Sequence, residues 1–474
     1  MSNKLSLSAS ERINSLLDDS SFVEIGAYVT ARSTDFNIQE TDSPKDGVIT
    51  GYGVINGKLV YVYSQDASVF GGAVGEMHAK KIAKVYDMAM KVGAPVIGLI
   101  DCAGLRLQEA TDAMNAFGRL YLKQTMASGV IPQITGIFGT CGGGSALIPT
   151  MSDFTFMTSE GSKLFVNTPN ALDSNNESKL NTASAEYLSN NTDMVDAVCD
   201  DDATLLAQIR NLIDMLPSNN LEDEIIDCTD DLNRTIANLD SFAEDGRAVI
   251  QNIADNNVFF EVNKDFAKEM VVGFARFDGQ TVGCVANQVK DGSNMISSAG
   301  AKIAADFVKF CDSFNIPVLT LVNTKGFVAT VENEKIIADA AGKLAYAFAD
   351  ATVPKVTVVM GDAFGTAYTV MNSKSIGADM VYAWPNAKIG TMDPEMAVKI
   401  MYEDEIAKAA DKVAKIKELK EEYTKLQSSA IACAKRGYID DIIEADATRK
   451  RVIAAFEMLY TKDEVRPAKK HGTV

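Results

Sequence analysis

Short runs of almost unbroken apolar residues alternate along this chain with longer stretches in which apolar residues return every three or four positions. The first kind predicts buried strand and the second predicts amphipathic helix. Residues 60–64 and 95–100 read as strands, 75–92 as the helix between them, and 131–138 as a further strand. That last strand runs into Gly139-Thr140-Cys141-Gly142-Gly143-Gly144-Ser145, after which 146–151 has helical spacing. Strand and helix in this repeated order predict an α/β fold of parallel βαβ units.

The same order of events returns at a fixed spacing. Ala94-Pro95-Val96-Ile97-Gly98-Leu99-Ile100-Asp101 is matched by Ile316-Pro317-Val318-Leu319-Thr320-Leu321-Val322-Asn323, 222 residues later. Val130-Ile131-Pro132 and Thr352-Val353-Pro354 share that offset, as do Ala79-Lys80 and Ala301-Lys302. After the glycine turn the offset becomes 226, from Ser152-Asp153-Phe154 to Ala378-Asp379-Met380. A shared strand–helix rhythm alone would drift in register, so the constancy predicts two homologous domains. Duplication also accounts for 474 residues, too many for one ordinary domain. A polar stretch over 173–202 and an acidic, turn-rich one over 218–245 place the boundary near 220–245, giving domains 1–225 and 245–474.

Composition narrows the function classes. With 47% hydrophobic and 23% charged residues, each half can bury a full core. The 64 acidic against 45 basic residues give a net charge of −19, which argues against nucleic acid as a partner. No stretch reaches 18 uninterrupted apolar residues, and residues 1–12 lack an apolar segment of signal-peptide length, so neither a membrane span nor secretion is expected. Seven cysteines, none in a CxxC pair, fit reduced thiols and a cytoplasmic location. With only two histidines, His78 and His471, no histidine metal site and no Ser/His triad is expected. Residues 403–427 are strongly charged with helical spacing. They read first as an amphipathic helix on its own domain, and otherwise as a protruding hairpin that meets a partner subunit.

Each domain delivers a strand into a turn of small residues that opens a helix: Gly142-Gly143-Gly144 in the first half and Gly365-Thr366-Ala367 in the second. Small residues admit another molecule to the backbone, and the first N–H groups of a helix have no acceptor within it. Aimed outward, such groups stabilise negative charge developing on an oxygen. One turn alone reads as close helix-on-strand packing; two at equivalent places suggest two oxyanion holes. Neither is GxxxxGK[ST] or GxGxxG followed by an acidic residue, and Gly143-Gly144-Ser145-Ala146-Leu147 lacks the GxSxG order. What remains is chemistry run by backbone dipoles, for which enolate formation from a thioester is a good fit. His78 and Cys141 read as packing residues. Lys80, Lys81 and Lys84 read equally as a basic patch for phosphates or as a solvated helix face.

Longer runs carry a family resemblance. Ser64-Gln65-Asp66, Val69-Phe70-Gly71-Gly72 and Glu76-Met77-His78-Ala79-Lys80-Lys81-Ile82 resemble the amino-terminal signature of the acyl-CoA carboxyltransferases. That family includes the propionyl-CoA carboxylase β-subunit, the transcarboxylase carboxyltransferase and the methylmalonyl-CoA decarboxylase α-subunit. The likeness continues through Ala127-Ser128-Gly129-Val130-Ile131-Pro132, Tyr346-Ala347-Phe348-Ala349-Asp350-Ala351, Tyr382-Ala383-Trp384-Pro385 and Arg436-Gly437-Tyr438-Ile439-Asp440-Asp441 to a terminal Lys469-Lys470-His471-Gly472.

The resemblance implies two crotonase-like domains of ββα superhelical build, the first handling acyl-CoA and the second biotin. It implies a ligase-type carboxyl transfer between carboxybiotin, on a separate biotin carboxyl carrier protein, and the α-carbon of a short-chain acyl-CoA of the propionyl/methylmalonyl or acetyl/malonyl kind. Carried over by position, Gly143 and Gly144 hold the thioester oxygen, and Thr366 and Ala367 the ureido oxygen. Gly142, Gly365, Tyr368, Thr369, Lys80 and Lys81 then fall in substrate-binding positions. No metal is implied. Further partners would be a biotin carboxylase or the subunits of a membrane sodium-pump decarboxylase. The assembly would be a hexamer, with sites shared between chains. Four departures stand out: Gly142 where many relatives have Ala, Gly365-Thr366-Ala367-Tyr368 where many read Gly-Gly-Ala-Tyr, Asn323-Thr324-Lys325-Gly326-Phe327 for the family's Asp-x-Pro-Gly-Phe, and Thr369 for a common Asp. The competing readings are a biotin-independent crotonase-type hydratase or hydrolase, with Glu109 as its base, and a non-catalytic scaffold subunit.

Overall fold

Antiparallel hairpins open both halves of the chain, and each hairpin feeds a parallel sheet. The computed structural model describes residues 6–32, 43–173, 175–222, 225–290 and 292–467; the terminal Lys469-Lys470-His471-Gly472 run lies outside them. The chain divides into two compact units, Met1–Asp223 and Glu224–Val474.

In the first unit the eight-stranded sheet runs in the order Val23–Glu24, Val48–Ile55, Lys58–Gln65, Val96–Cys102, Gln133–Gly142, Phe154–Thr158 and Ala197–Cys199, with Lys163–Phe165 pairing off Gln133–Gly142. Each of the first three strands is antiparallel to its neighbour among them, and the rest add in parallel. In the second unit the eight-stranded sheet has Phe259–Val262, Met270–Phe277, Gln280–Asn287, Val318–Thr324, Lys355–Phe364, Met380–Ala383 and Asp441–Ile442, with Lys388–Gly390 off Lys355–Phe364. Parallel strands buried on both faces need near-continuous apolar sequence, and Val96, Ile97, Leu99 and Ile100 are all at most 1% exposed.

Helix Glu76–Val92 covers the first sheet with a stripe of His78, Ile82, Val85, Tyr86 and Ala89, the spacing of one helix face. It stops at Gly93, whose φ of 68° is left-handed. Ser298–Ser313, capped by the Ser297 hydroxyl accepting from the Gly300 N–H, does the same in the second unit. The strands are longer than the apolar runs suggest, because hairpin partners extend 60–64 to Lys58–Gln65. The helix expected over 146–151 is a 3-10 turn, Gly143–Ala146, followed by Leu147–Thr150.

Two stretches differ from the sequence reading. Residues 225–245, taken as part of the boundary, belong to the second unit: Ile225 bridges Gln280 and Leu239 is buried in that unit's core. Residues 403–427 do not form one helix. Glu403–Lys408 ends before Asp411, whose carboxylate accepts from the Val413 and Ala414 N–H groups and starts Lys412–Tyr423. With Pro394–Met401 these helices close a small cluster of their own, Val398, Ile406 and Leu419.

The hairpin turns follow the repeat as well. Asn56-Gly57 and Asp278-Gly279 all have positive φ, as a two-residue turn matched to strand twist requires. Space around the glycines differs: a Cβ on Gly57 meets nothing, whereas one on Gly279 overlaps the Ile226 carbonyl. Gly57→Ala therefore pays only the left-handed backbone cost of about 1–2 kcal/mol. Gly279→Ala adds roughly 1–3 kcal/mol of overpacking to that. Urea titration of the two variants is expected to show Gly279→Ala as the less stable.

Candidate active site

The glycine turns occupy equivalent places to the residue. Strand Val96–Cys102 pairs with Gln133–Gly142 from Val96 opposite Gln133, and Val318–Thr324 pairs with Lys355–Phe364 from Val318 opposite Lys355. Both pairs skip register near their ends, between Ile100 and Cys102 and between Val322 and Thr324. Gly143 and Gly365 follow with φ of 60° and 62°. This left-handed step, open to glycine at little cost, swings each chain from strand into helix.

A side-chain clamp holds each skip. In the first unit an Asp101 carboxylate oxygen accepts the Thr140 N–H at 3.2 Å, and the Asp101 N–H donates to Gln65 Oε1 at 3.3 Å. In the second, Asn323 Oδ1 accepts the Asp362 N–H at 3.1 Å, and the Asn323 N–H donates to Asn287 Oδ1 at 3.0 Å. Glycine is needed where the clamp crosses the neighbouring strand: a Cβ on Gly139 overlaps the Asp101 carboxylate, and one on Gly361 comes within 2.8 Å of Asn323. The remaining partner explains why one clamp is an acid and the other an amide. Asp101 faces the Arg12 guanidinium at 3.3 Å, whereas Asn323 Nδ2 donates to the Ala243 carbonyl at 2.8 Å.

The turns themselves present backbone. Gly143 and Gly144 begin the 3-10 segment, and Gly365, Thr366 and Ala367 begin Gly365–Val370. The N–H groups of such first turns have no acceptor in their own helix. A Cβ on Gly143 meets nothing within 4 Å, so a ligand can approach. The Tyr121 hydroxyl donates to the Gly144 carbonyl at 2.7 Å and fixes that peptide's orientation. A Cβ on Gly142 would lie within 3.0 Å of the Phe165 ring. Thr366 is exposed and has right-handed backbone, so its β-branch fits the helix. By internal register Gly143 and Gly144 correspond to Gly365 and Thr366. The pair carried over from the resemblance, Thr366 and Ala367, stands one residue further on.

Other expected site residues are placed as follows. Tyr368 is partly buried, and desolvation pushes its phenol well up. Thr369 turns its hydroxyl back to the Gly365 carbonyl at 3.4 Å. Lys80 is exposed and paired with Glu76 at 2.8 Å. Lys81 is not part of a phosphate patch: it is 5% exposed, and its ammonium donates to the Lys45 and Val48 carbonyls. Burial lowers its pKa to about 8.

The titratable groups around the first turn are committed to structure. His78 is fully buried; its Nδ1 meets the Asp46 carbonyl at 2.9 Å and its Nε2 the Gln65 side chain at 3.2 Å. Burial, with the Arg106 charge, lowers its pKa to about 3, so it is neutral. Glu109 is buried against Arg106 at 2.8 Å and accepts the Glu76 N–H at 2.5 Å. It is held as a helix cap and ion-pair partner, which removes the base the hydratase reading needs. Burial raises the Cys102 and Cys141 thiols, so neither is a thiolate. Among the described residues no group of three or more His, Cys, Asp or Glu is placed to hold a metal, and no helix is long and apolar enough to cross a membrane.

Sequence reading passed over a cavity of about 610 Å³ beside the first turn. It is lined by Thr140, Lys163, Phe165, Asn170, Lys179 and Asn181 among others. Phe165 pairs with Gly142 across the strands, which brings this wall to the start of the turn.

The duplicated α/β fold thus carries an equivalent strand-to-helix turn in each half, opened by a left-handed glycine. Comparison with known proteins is specific. Residues 3–474 match the carboxyl transferase domain. The carboxyltransferase subunit of propionyl-CoA carboxylase from Haloferax mediterranei is 41% identical over 485 residues, covering 100% of this chain and 94% of that protein. Methylmalonyl-CoA decarboxylase subunit alpha from Propionigenium modestum is 41% identical over 481 residues, covering 99% and 93%. The solved transcarboxylase 12S hexamer core, with hydrolysed methylmalonyl-coenzyme A bound, superposes with a TM-score of 0.94 at 36% identity, covering 98% of this chain and 92% of that one. The chain belongs to the carboxyl transferase family and is a carboxyltransferase, with the two crotonase-like domains that the repeat and the resemblance imply.

Replacing Asn323 by Asp turns an amide donor into a carboxylate facing the Ala243 carbonyl. Asn323→Asp is expected to lower stability by about 1–3 kcal/mol, measured as a shift in the urea midpoint at pH 7.5. Asp101→Asn takes the carboxylate away from the buried Arg12 guanidinium and should cost at least as much.

Proposed function

We propose that this chain transfers a carboxyl group between biotin, borne on a separate biotin carboxyl carrier protein, and the α-carbon of a short-chain acyl-CoA of the propionyl/methylmalonyl type. The observation that carries the reading is the pair of equivalent turns, one per unit, each opening with a left-handed glycine after a clamped strand end. One reacting partner needs an enolate stabilised and the other a ureido anion, so two oxyanion sites are what the reaction requires. In this reading the N–H groups of Gly143 and Gly144 hold the thioester oxygen, and those of Thr366 and Ala367, beside Gly365, the ureido oxygen. Each donor contributes roughly 3–4 kcal/mol to lowering the barrier.

The second unit fits biotin. The first N–H groups of its turn have no acceptor within their own helix, and a Cβ on Gly326 meets nothing within 4 Å, leaving room for a flat ring against the backbone. Bound biotin would carry the carboxyl group and supply, at its ureido nitrogen, the base for the α-proton. The chain's residues then position both partners and exclude water. Neutral His78, capped Glu109 and protonated Cys102 and Cys141 agree with a site that draws no base from the protein. Lys163 and Lys179, lining the cavity beside the first turn, are the cations offered to the phosphates of coenzyme A. The first unit is thereby the acyl-CoA domain and the second the biotin domain, in a cytoplasmic homo-oligomer of hexameric type. Either a biotin carboxylase or a membrane-bound sodium-pump decarboxylase would recharge or discharge the carrier.

The reading predicts that purified protein releases propionyl-CoA from methylmalonyl-CoA only when free biotin or a biotinylated carrier is present. Chromatography of the CoA esters is the measurement. Turnover independent of biotin, or hydration of an enoyl-CoA, would overturn it.

A further inference from the structure

The two halves share backbone around their turns but differ in charge. Ala103 and Lys325 sit at equivalent places just past the strand ends. The Ala103 N–H donates to the Gly71 carbonyl at 2.9 Å and the Lys325 N–H to the Asn294 carbonyl at 2.7 Å. Val74 bridges Leu105 as Ile296 bridges Phe327, and Gly104 and Gly326 both have positive φ. Thr140 and Asp362, the residues held by the clamps, are likewise equivalent. At the first turn, then, the flanking side chains are a methyl and a hydroxyl; at the second they are an ammonium and a carboxylate.

The lysine is close to the second turn and lightly held. Thr324 is the cross-strand partner of Ala363, so Lys325 leaves its strand beside Phe364, one strand spacing of about 4.8 Å away, and Gly365 follows directly. Its backbone is fixed by the bond to Asn294, by the Thr324 hydroxyl accepting from the Gly326 N–H at 3.4 Å, and by the neighbouring bridge. The ammonium lies 3.7 Å from the Asp362 carboxylate, with the lysine side chain 47% exposed. A pair this long and this wet contributes little to folding, so stability does not account for the lysine. In a chain of net charge −19, a cation kept at this one edge changes what the local field attracts.

Resting on the reading above, we propose that Lys325 is a positioning residue for the carboxylate that is transferred, and that this charge makes the second turn the carboxylate-handling one. A thioester carbonyl is neutral until the transition state, and the methyl of Ala103 suits it. The group at the second turn carries a full negative charge before its N–C bond breaks, with the electron pair passing to the ureido nitrogen. Lys325 offers that carboxylate a compact charge with three donors. Asp362 limits the grip, so that release of CO2 is not opposed by an unpaired ammonium.

The test is equilibrium binding by calorimetry, with two ligands: biotin methyl ester, which is neutral, and the same ester carrying a carboxymethyl group on its ureido nitrogen. The wild-type chain is expected to prefer the anionic ligand. Lys325→Met should weaken it about tenfold while leaving the neutral ester within about twofold, and Lys325→Arg should recover most of the loss. Asp362→Asn frees the lysine and should tighten the anionic ligand, giving a gain that misfolding cannot mimic. Equal loss for both ligands in Lys325→Met, or no tightening in Asp362→Asn, overturns the role of Lys325 and leaves biotin binding intact. Failure of the wild-type chain to bind either ligand overturns the biotin reading along with it.

Discussion

Everything at the two turns depends on one constraint: a side-chain oxygen from one strand accepting a backbone N–H of the next. Asp101 takes the Thr140 N–H and Asn323 takes the Asp362 N–H. Each bond sits where the parallel ladder skips a residue, so an N–H that the skip would leave unpaired is satisfied. Gly139 and Gly361 supply the room for it. Without the skip, the strand would run on in register. The clamp fixes where each strand gives way to its turn.

Side chains near the first turn are spent on holding its backbone. His78 is neutral and links the Asp46 carbonyl to Gln65, whose oxygen receives the Asp101 N–H. Glu109 caps the helix that covers the sheet and neutralises Arg106. A backbone held this way is fixed before any ligand arrives, as preorganised dipoles require.

Much of this was legible in the sequence, and the repeat was the most informative part of it. The 222-residue offset located the paired strands and the turns, and the hairpins of the structure share it, because it is carried by backbone geometry rather than by side-chain identity. The same offset pairs Gln65 with Asn287 and Asp101 with Asn323, so the clamp could be found by asking which polar residues repeat inside apolar strands. Lys81 was misplaced because a helix stripe does not say that a lysine will bend back to cap the Lys45 and Val48 carbonyls. Residues 225–245 read as linker because their composition is polar, yet a single bridge and Leu239 tie them to the second unit. The cavity carrying Lys163 and Lys179 is assembled from segments some forty residues apart, which no local pattern encodes.

The central claim is that no side chain of this protein removes the α-proton. Incubating propionyl-CoA with the enzyme in D2O, with and without N-carboxybiotin, and following deuterium at the α-carbon by mass spectrometry tests it directly. The account predicts exchange above background only with carboxybiotin present, since loss of its CO2 leaves the ureido nitrogen as the anion that takes the proton. Enzyme-dependent exchange in the absence of carboxybiotin would contradict it and show that a residue of the chain does the work.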